Sequence, residues 1–373
     1  MNWIAFALGP ALVALVLWDL FESIVVPRPT PGRLRIGRYV MRNSWIVVRA
    51  IGRRGDAGTR DRILGLFAPA VTLVLLVIWL LAMIAGYGLI LFALRDELRP
   101  NPGDLGTATY FAASSVLTLG FGDFVAVGPA ARAVVVAAAA SGLGVVALVV
   151  TFLFSLYGSY QRREIQVVTL QAAAGAPPSA VTLLETYAGL DLAGRLPGFF
   201  ADWERWAAEV LDTHVAYPLL GFFRSSHDNL SWISALGTVL DAASLVLTTI
   251  ADVPRGEAEL FKRVGSHLVE DITNLGYRGG TVARPDPGPN ASGLDRAAFD
   301  GAYARLAGAG FGLVPEEEAW PAFETARAAY AGGLEAMAAY WATPTNSWLD
   351  SAGELRSPVH RPDESDGRGD PAA

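Results

Sequence analysis

The sequence predicts an all-α membrane protein: three transmembrane helices, a re-entrant short helix between the second and third, and an α-helical cytosolic domain. Three observations carry that prediction. Charged residues make up only 17% of the 373 positions, against roughly 25% in soluble domains, and mean hydropathy is +0.36. The apolar residues are gathered into runs long enough to cross a bilayer. Charge is segregated as well. Ten arginines between Arg28 and Arg62 face only Asp56 and Asp61, whereas from Gln161 onward 28 acidic residues outnumber 16 basic ones. The basic block suits a loop against a membrane and the acidic part a soluble domain, which argues against nucleic-acid partners. The absence of cysteine excludes disulfides, thiolate metal sites and a cysteine nucleophile.

The first run, Ile4 to Val26, is interrupted late by Asp19 and Glu22. Met1-Asn2-Trp3 lacks a positive leader and no small-x-small cleavage site follows, so residues 1–27 are expected to be a retained helix. Residues 28–62 form an Arg-rich cytoplasmic loop. Within it Arg33, Arg35, Arg38 and Arg42, with Leu34, Ile36, Tyr39, Val40 and Trp45, suit a helix on the inner membrane surface against anionic lipid. These arginines do not recur through an apolar span, so no voltage sensor is expected.

Ile63 to Leu94 carries no charge over 32 positions. At about 1.5 Å per residue it exceeds a ~30 Å hydrocarbon core and must tilt or protrude. Ala133 to Tyr160 is also uncharged and dense in small residues, with Ala137 to Ala140, Ser141, Gly142 and Gly144 allowing close helix approach. The Arg28–Arg62 block and the Arg162-Arg163 pair both belong on the cytoplasmic side. Three spans satisfy both placements, with the N-terminus outside and the C-terminal domain inside. Leu230 to Ala251 is apolar apart from a central Asp241, whose insertion costs about 2.5–3.5 kcal/mol. It reads as a buried helix of a cytosolic bundle.

The gap between the second and third runs is the informative stretch. Arg95 to Gly106 is a polar loop, and Asp104 or Thr107 can cap a helix through Tyr110 to Leu117 that is too short to span. Thr118-Leu119-Gly120-Phe121-Gly122-Asp123 then returns as extended chain. Non-helical backbone at that depth is tolerated only where it is buried in protein or lines a water-filled path. Gly120 and Gly122 can take the backbone angles that turn a row of carbonyls toward one axis. Leu119 and Phe121 would face away and pack on the short helix, and the Thr118 hydroxyl could add a ligand. The helix dipole favours a cation at its C-terminal end.

Gly120-x-Gly122-Asp123 also matches the motif of intramembrane aspartic proteases. Those need a second aspartate on a neighbouring span to share a proton. None occurs in Ile63–Leu94, and Asp19 lies near the opposite membrane face.

Thr118 to Asp123 resembles the potassium-channel pore family, whose filter reads Thr-Val-Gly-Tyr-Gly-Asp. The resemblance covers about Ile63 to Tyr160. It implies an ion-binding selectivity filter at Thr118, Leu119, Gly120, Phe121 and Gly122, with Asp123 as its flank and Gly142 as the inner-helix hinge. One pore motif per chain implies a homotetramer. Leu119 stands where Val or Ile is usual and Leu117 where a second Thr is common, which bears on K⁺ selectivity more than on pore formation. Arg162-Arg163-Glu164, Gly175 to Ala180, Asp202 to Trp206, and Phe223 to Trp232 are similar in order to a bacterial potassium-channel-like family. Its members carry a single pore-loop ion channel domain and a helical cytosolic C-terminal domain.

The chain therefore divides into 1–27, 28–62, a pore domain at 63–160, a cytosolic helical domain at 161–277, a Gly/Pro linker at 278–293, a helical extension at 294–349 and a disordered tail at 350–373. Helices are expected over Ala201–Tyr217, from Asp228 or Ser231 to Ile250, Glu257–Leu275, Asp295–Leu306 and Pro315–Trp341. His214, His227 and His267, with Glu209 or Asp228, match no metal-ligand spacing. No nucleotide-binding glycine motif or catalytic dyad is present, so neither an enzyme nor a cofactor is expected. The function this implies is a tetrameric, potassium-selective cation channel that conducts through backbone carbonyls. A weakly selective cation pore and a non-conducting, membrane-anchored interaction or sensor protein are the alternatives. One lysine against 28 arginines points to a G+C-rich genome, and the resemblance to the bacterial family implies a bacterial plasma (inner) membrane. The expected partners are K⁺ ions, the lipid bilayer and further copies of the chain.

Overall fold

The computed structural model describes residues 3–26, 36–225, 230–278, 293–343 and 349. Arg28, Arg33 and Arg35, His227 and Asp228, nearly all of the 278–293 linker and the 350–373 tail lie outside the described residues.

Among the described residues, three helices are long and apolar enough to cross a membrane. The first, α1 (Trp3–Leu20), continues as a π-helical turn to Val25. After α2 (Ile36–Gly52) comes the second, α3 (Ala57–Ala93), which begins six residues before the expected run because Asp56 and the polar residues after it start the helix ahead of the apolar stretch. α1 and α3 pack antiparallel through glycine. A Cβ at Gly9 would lie 2.6 Å from Ile90, and one at Gly86 2.7 Å from Val13, so both positions need hydrogen in place of a side chain. Farther along the same pair, the buried Asp19 accepts hydrogen bonds from Trp79 Nε1 (2.8 Å) and from the backbone N–H of Gly37 (3.2 Å). One carboxylate therefore joins α1 to α3 and caps the first turn of α2. That structural duty, on residues far from Asp123, is what Asp19 performs.

The third long helix is α5 (Pro129–Ala174). Its 46 residues make a rod about 69 Å long, more than twice a bilayer core. The expected end at Tyr160 is corrected here. Arg162-Arg163 changes the polarity of the helix surface but breaks no backbone hydrogen bond. The helix stops only at Gly175, at φ +80°, just ahead of Pro177-Pro178.

The rod's last turns enter a C-terminal bundle of α6 (Ala180–Gly189), α7 (Leu196–Ala216), α8 (Trp232–Thr248), α9 (Gly256–Arg278), α10 (Arg296–Gly308), α11 (Glu316–Ala328) and α12 (Ala331–Trp341). Val167 and Leu170 of α5 share one apolar core with Trp203, Leu240, Phe261, Phe299, Phe323 and Leu334. The expected helical extension is thus not a separate layer: residues on both sides of the linker build one core. The single helix expected over Pro315–Trp341 is two, interrupted at Ala329–Tyr330.

α8 is buried along almost its whole length, from Trp232 to Val246. Its Asp241 is fully enclosed, held by Arg327 Nε of α11 (3.0 and 3.2 Å) and by the Tyr330 hydroxyl (2.7 Å). Protein surrounds this helix on all sides, so it is the core of the bundle and not a fourth span.

Candidate functional site

Asp104 starts the short helix α4 (Leu105–Val116). Its Oδ1 accepts the Thr107 N–H at 2.8 Å and its Oδ2 the Thr107 hydroxyl at 3.0 Å. Twelve residues give about 18 Å, well short of a bilayer core. α4 buries Ala108, Phe111, Ala112 and Val116, and lies so close to α3 that a Cβ on Gly88 would sit 2.7 Å from Thr109 Oγ1.

At its C-terminus the chain folds back on the last turn. Leu117, Thr118 and Leu119 donate their N–H groups to the carbonyls of Ala113, Ser115 and Ser114. The backbone then alternates. Thr118, Gly120 and Gly122 have φ of +55°, +62° and +82°, whereas Leu119 and Phe121 keep negative φ. In an ordinary extended chain successive carbonyls point to opposite sides. Reversing the hand of every second residue turns them toward the same side. A threonine in the left-handed region costs about 1–3 kcal/mol, a strain characteristic of functional backbone.

Phe121 stacks on Tyr110 of α4, ring centroids 6.4 Å apart and planes within 3°. Phe124 meets the same tyrosine edge-on and also packs on Phe111. Phe121 does face the short helix, as expected, but Leu119 does not bury itself there. In a single chain Leu117, Leu119 and Phe121 remain 44%, 53% and 64% exposed. Asp123 accepts the N–H of Phe124 at 3.2 Å.

Beyond Asp123 a short strand, β2 (Val125–Ala126), pairs antiparallel with β1 (Leu98–Arg99). The carbonyl of Glu97 accepts the N–H groups of Val127 and Gly128, and its carboxylate accepts that of Ala131 at 2.9 Å. Glu97 therefore caps α5, a role with no local sequence signal because donor and acceptor are 34 residues apart.

Gly142 lies in unbroken helix directly against the end of α4. A Cβ there would fall well inside van der Waals contact of the Val116 carbonyl oxygen. The close approach needs glycine at this position, whatever bending the helix undergoes. Tyr87 of α3 reaches Ser141 Oγ at 2.6 Å and ties the two long helices at the same level.

Residues 71–158 match the family described as Ion channel, from the middle of α3 through α4 and the alternating segment into α5. This stretch is an ion-channel domain. Comparison with curated proteins and with solved structures returned no match.

The channel domain is linked to the bundle by Arg163 of α5. Its guanidinium is buried, donating to the carbonyls of Leu220 (2.9 Å) and Phe223 (2.8 Å) and to Glu164 Oε1 (2.9 Å), and it lies over the rings of Tyr160 and Trp232. In sequence the Arg162-Arg163 pair serves only as a marker of the cytoplasmic side; in the fold the two part ways, Arg162 exposed and paired with Glu209, Arg163 buried. His214 completes the knot. Its Nδ1–H donates to the Val210 carbonyl (2.8 Å), leaving Nε2 to accept from Arg163 (3.2 Å). Burial, then the Arg163 charge, pushes the His214 pKa down to about 3, so the ring is neutral.

Proposed function

We propose that the protein is a homotetrameric, potassium-selective cation channel of a bacterial plasma membrane, with Thr118 to Gly122 as its filter. The observation that carries this reading is the alternation of backbone hand at 118, 120 and 122 immediately after a short capped helix. Carbonyl oxygens serve as the ligands, so the filter needs no charged side chain. One chain leaves residues 117–123 on its surface, a poor setting for strained backbone and apolar side chains. Four copies around an axis would cover those side chains and complete a ring of carbonyls. The Arg-rich segment 28–62 argues for a cytoplasmic α2, an N-terminus outside and a cytoplasmic bundle.

Leu117 and Leu119 favour a second reading, a weakly selective cation pore. Leu119 is 53% exposed in the single chain, where a side chain packed on the short helix would hold the carbonyls to one radius, and Leu117 offers no hydroxyl behind it. Vesicles loaded with K⁺ test both. Selective K⁺ flux that barium blocks and Gly120→Ala abolishes supports the first reading. Equal Na⁺ and K⁺ flux supports the second. Absence of flux from an intact tetramer would leave a non-conducting interaction or sensor protein.

A further inference from the structure

Arg42 and Arg49 of α2 lie seven residues apart on one stripe of the helix, and Arg53, in the turn that follows Gly52, continues it four residues on. With Trp45, Ile46 and Tyr340 of α12 they line a cavity of about 280 Å³. Among the described residues none of the three arginines pairs with a carboxylate. Arg49 donates to the carbonyl of Ala339 (2.9 Å), and its guanidinium pKa is pulled down by burial and then by the neighbouring Arg53 and Arg60. Positive charge is gathered here without an anion. Trp45 is buried at the cavity wall, and its indole N–H has no acceptor among the described residues.

We propose that this cavity binds the phosphate headgroup of an anionic phospholipid. Guanidinium groups match phosphate oxygens in charge and in fork geometry. The surroundings choose a lipid over a soluble ester. Ile46, Val47 and Ile51 of α2 are each about half exposed, and Asp19 anchors the helix's first turn to the apolar helices α1 and α3. Acyl chains have an apolar ridge to lie against, and the headgroup then bridges the membrane region to the last helix of the bundle. The site rests on the membrane placement of α1 and α3 and not on ion selectivity, so its test does not use flux.

The full-length protein, purified in detergent, is titrated with phosphatidylglycerol or phosphatidylcholine and bound lipid is counted by native mass spectrometry. Wild type binds phosphatidylglycerol in preference. Arg42→Gln with Arg53→Gln lowers that affinity about thirtyfold, as loss of two arginines near an anionic surface implies. Neither side chain makes a hydrogen bond among the described residues, so the variant keeps its melting temperature. Arg42→Lys with Arg53→Lys retains most of the binding, and Arg205→Gln with Arg263→Gln, on exposed faces of α7 and α9, retains all of it. Equal binding of the two lipids by wild type, or undiminished phosphatidylglycerol affinity in the double glutamine variant, overturns the proposal. Displacement of bound lipid by glycerol 3-phosphate at equal concentration overturns the lipid as occupant and assigns the site to soluble phosphate esters.

Discussion

Gly142 and Gly144 are two residues apart on α5 and have opposite surroundings. A methyl group at 142 meets the Val116 carbonyl, whereas at 144 it meets nothing within 4 Å. Gly142→Ala should therefore destabilise the channel domain by about 1–3 kcal/mol through overpacking, and Gly144→Ala should be near neutral. Thermal denaturation of the two purified variants separates them, and equal melting temperatures would remove the packing role assigned to Gly142. His214 supports a prediction of a different kind. Its folded pKa of about 3 lies below the unfolded value of 6.5, so the neutral ring contributes stability that is complete above pH 6.5. That contribution is lost as pH falls toward 3, because only the unfolded chain takes up the proton. Between pH 6.5 and 5 the loss is about 2 kcal/mol. Wild type should lose stability faster than His214→Gln over that window, and parallel pH profiles would count against a neutral His214.

At the scale of elements, α8 is instructive because apolar composition describes it poorly. It has enough hydrophobic residues for a membrane, yet Asp241 is matched by Arg327 and Tyr330 from the other side of the linker. Asp241→Asn leaves a buried arginine without its counter-charge, and a loss of about 3–5 kcal/mol is expected. Asp241→Leu combined with Arg327→Met should recover most of it, since Tyr330 keeps Ser244 as a partner. Chemical denaturation of the three proteins provides the comparison, and a double variant no better than the single would mean the pair itself is not what the bundle needs.

A second junction joins the long helices to the bundle. Trp45 of α2 packs on Phe67 of α3 and on Phe222 (4.9 and 5.0 Å between ring centroids). Arg49, Arg60 and Arg224 donate to the carbonyls of Ala339 and Ala342 at the C-terminus of α12, where the helix dipole favours positive charge. These contacts tie the bundle to α2 and α3, and Arg163 ties it to α5.

For the whole molecule the proposed channel turns on how many chains assemble. Native mass spectrometry should give a particle near four times the 39.6 kDa chain mass. A monomer or dimer under conditions that preserve flux would rule out a ring of carbonyls from four chains.

Much of this architecture is legible along the chain because its causes are local. A bilayer selects uncharged runs, so the three long helices are read from hydropathy alone. Ser231 and Asp295 cap their helices from adjacent positions, and the glycines at 120 and 122 announce left-handed backbone by their lack of a side chain. What the fold alone decided joins residues distant in sequence. Glu97 caps α5, Asp19 caps α2, Arg163 is buried in the knot with His214, and Asp241 meets Arg327 across 86 positions. The Arg42–Arg49–Arg53 stripe follows helical spacing but gains its meaning only when Tyr340 closes the cavity. Hydrophobic periodicity and glycine placement record what each segment needs from its solvent and its own backbone. The partner of a buried charge is recorded nowhere near that charge, because packing, and not the local chain, supplies it.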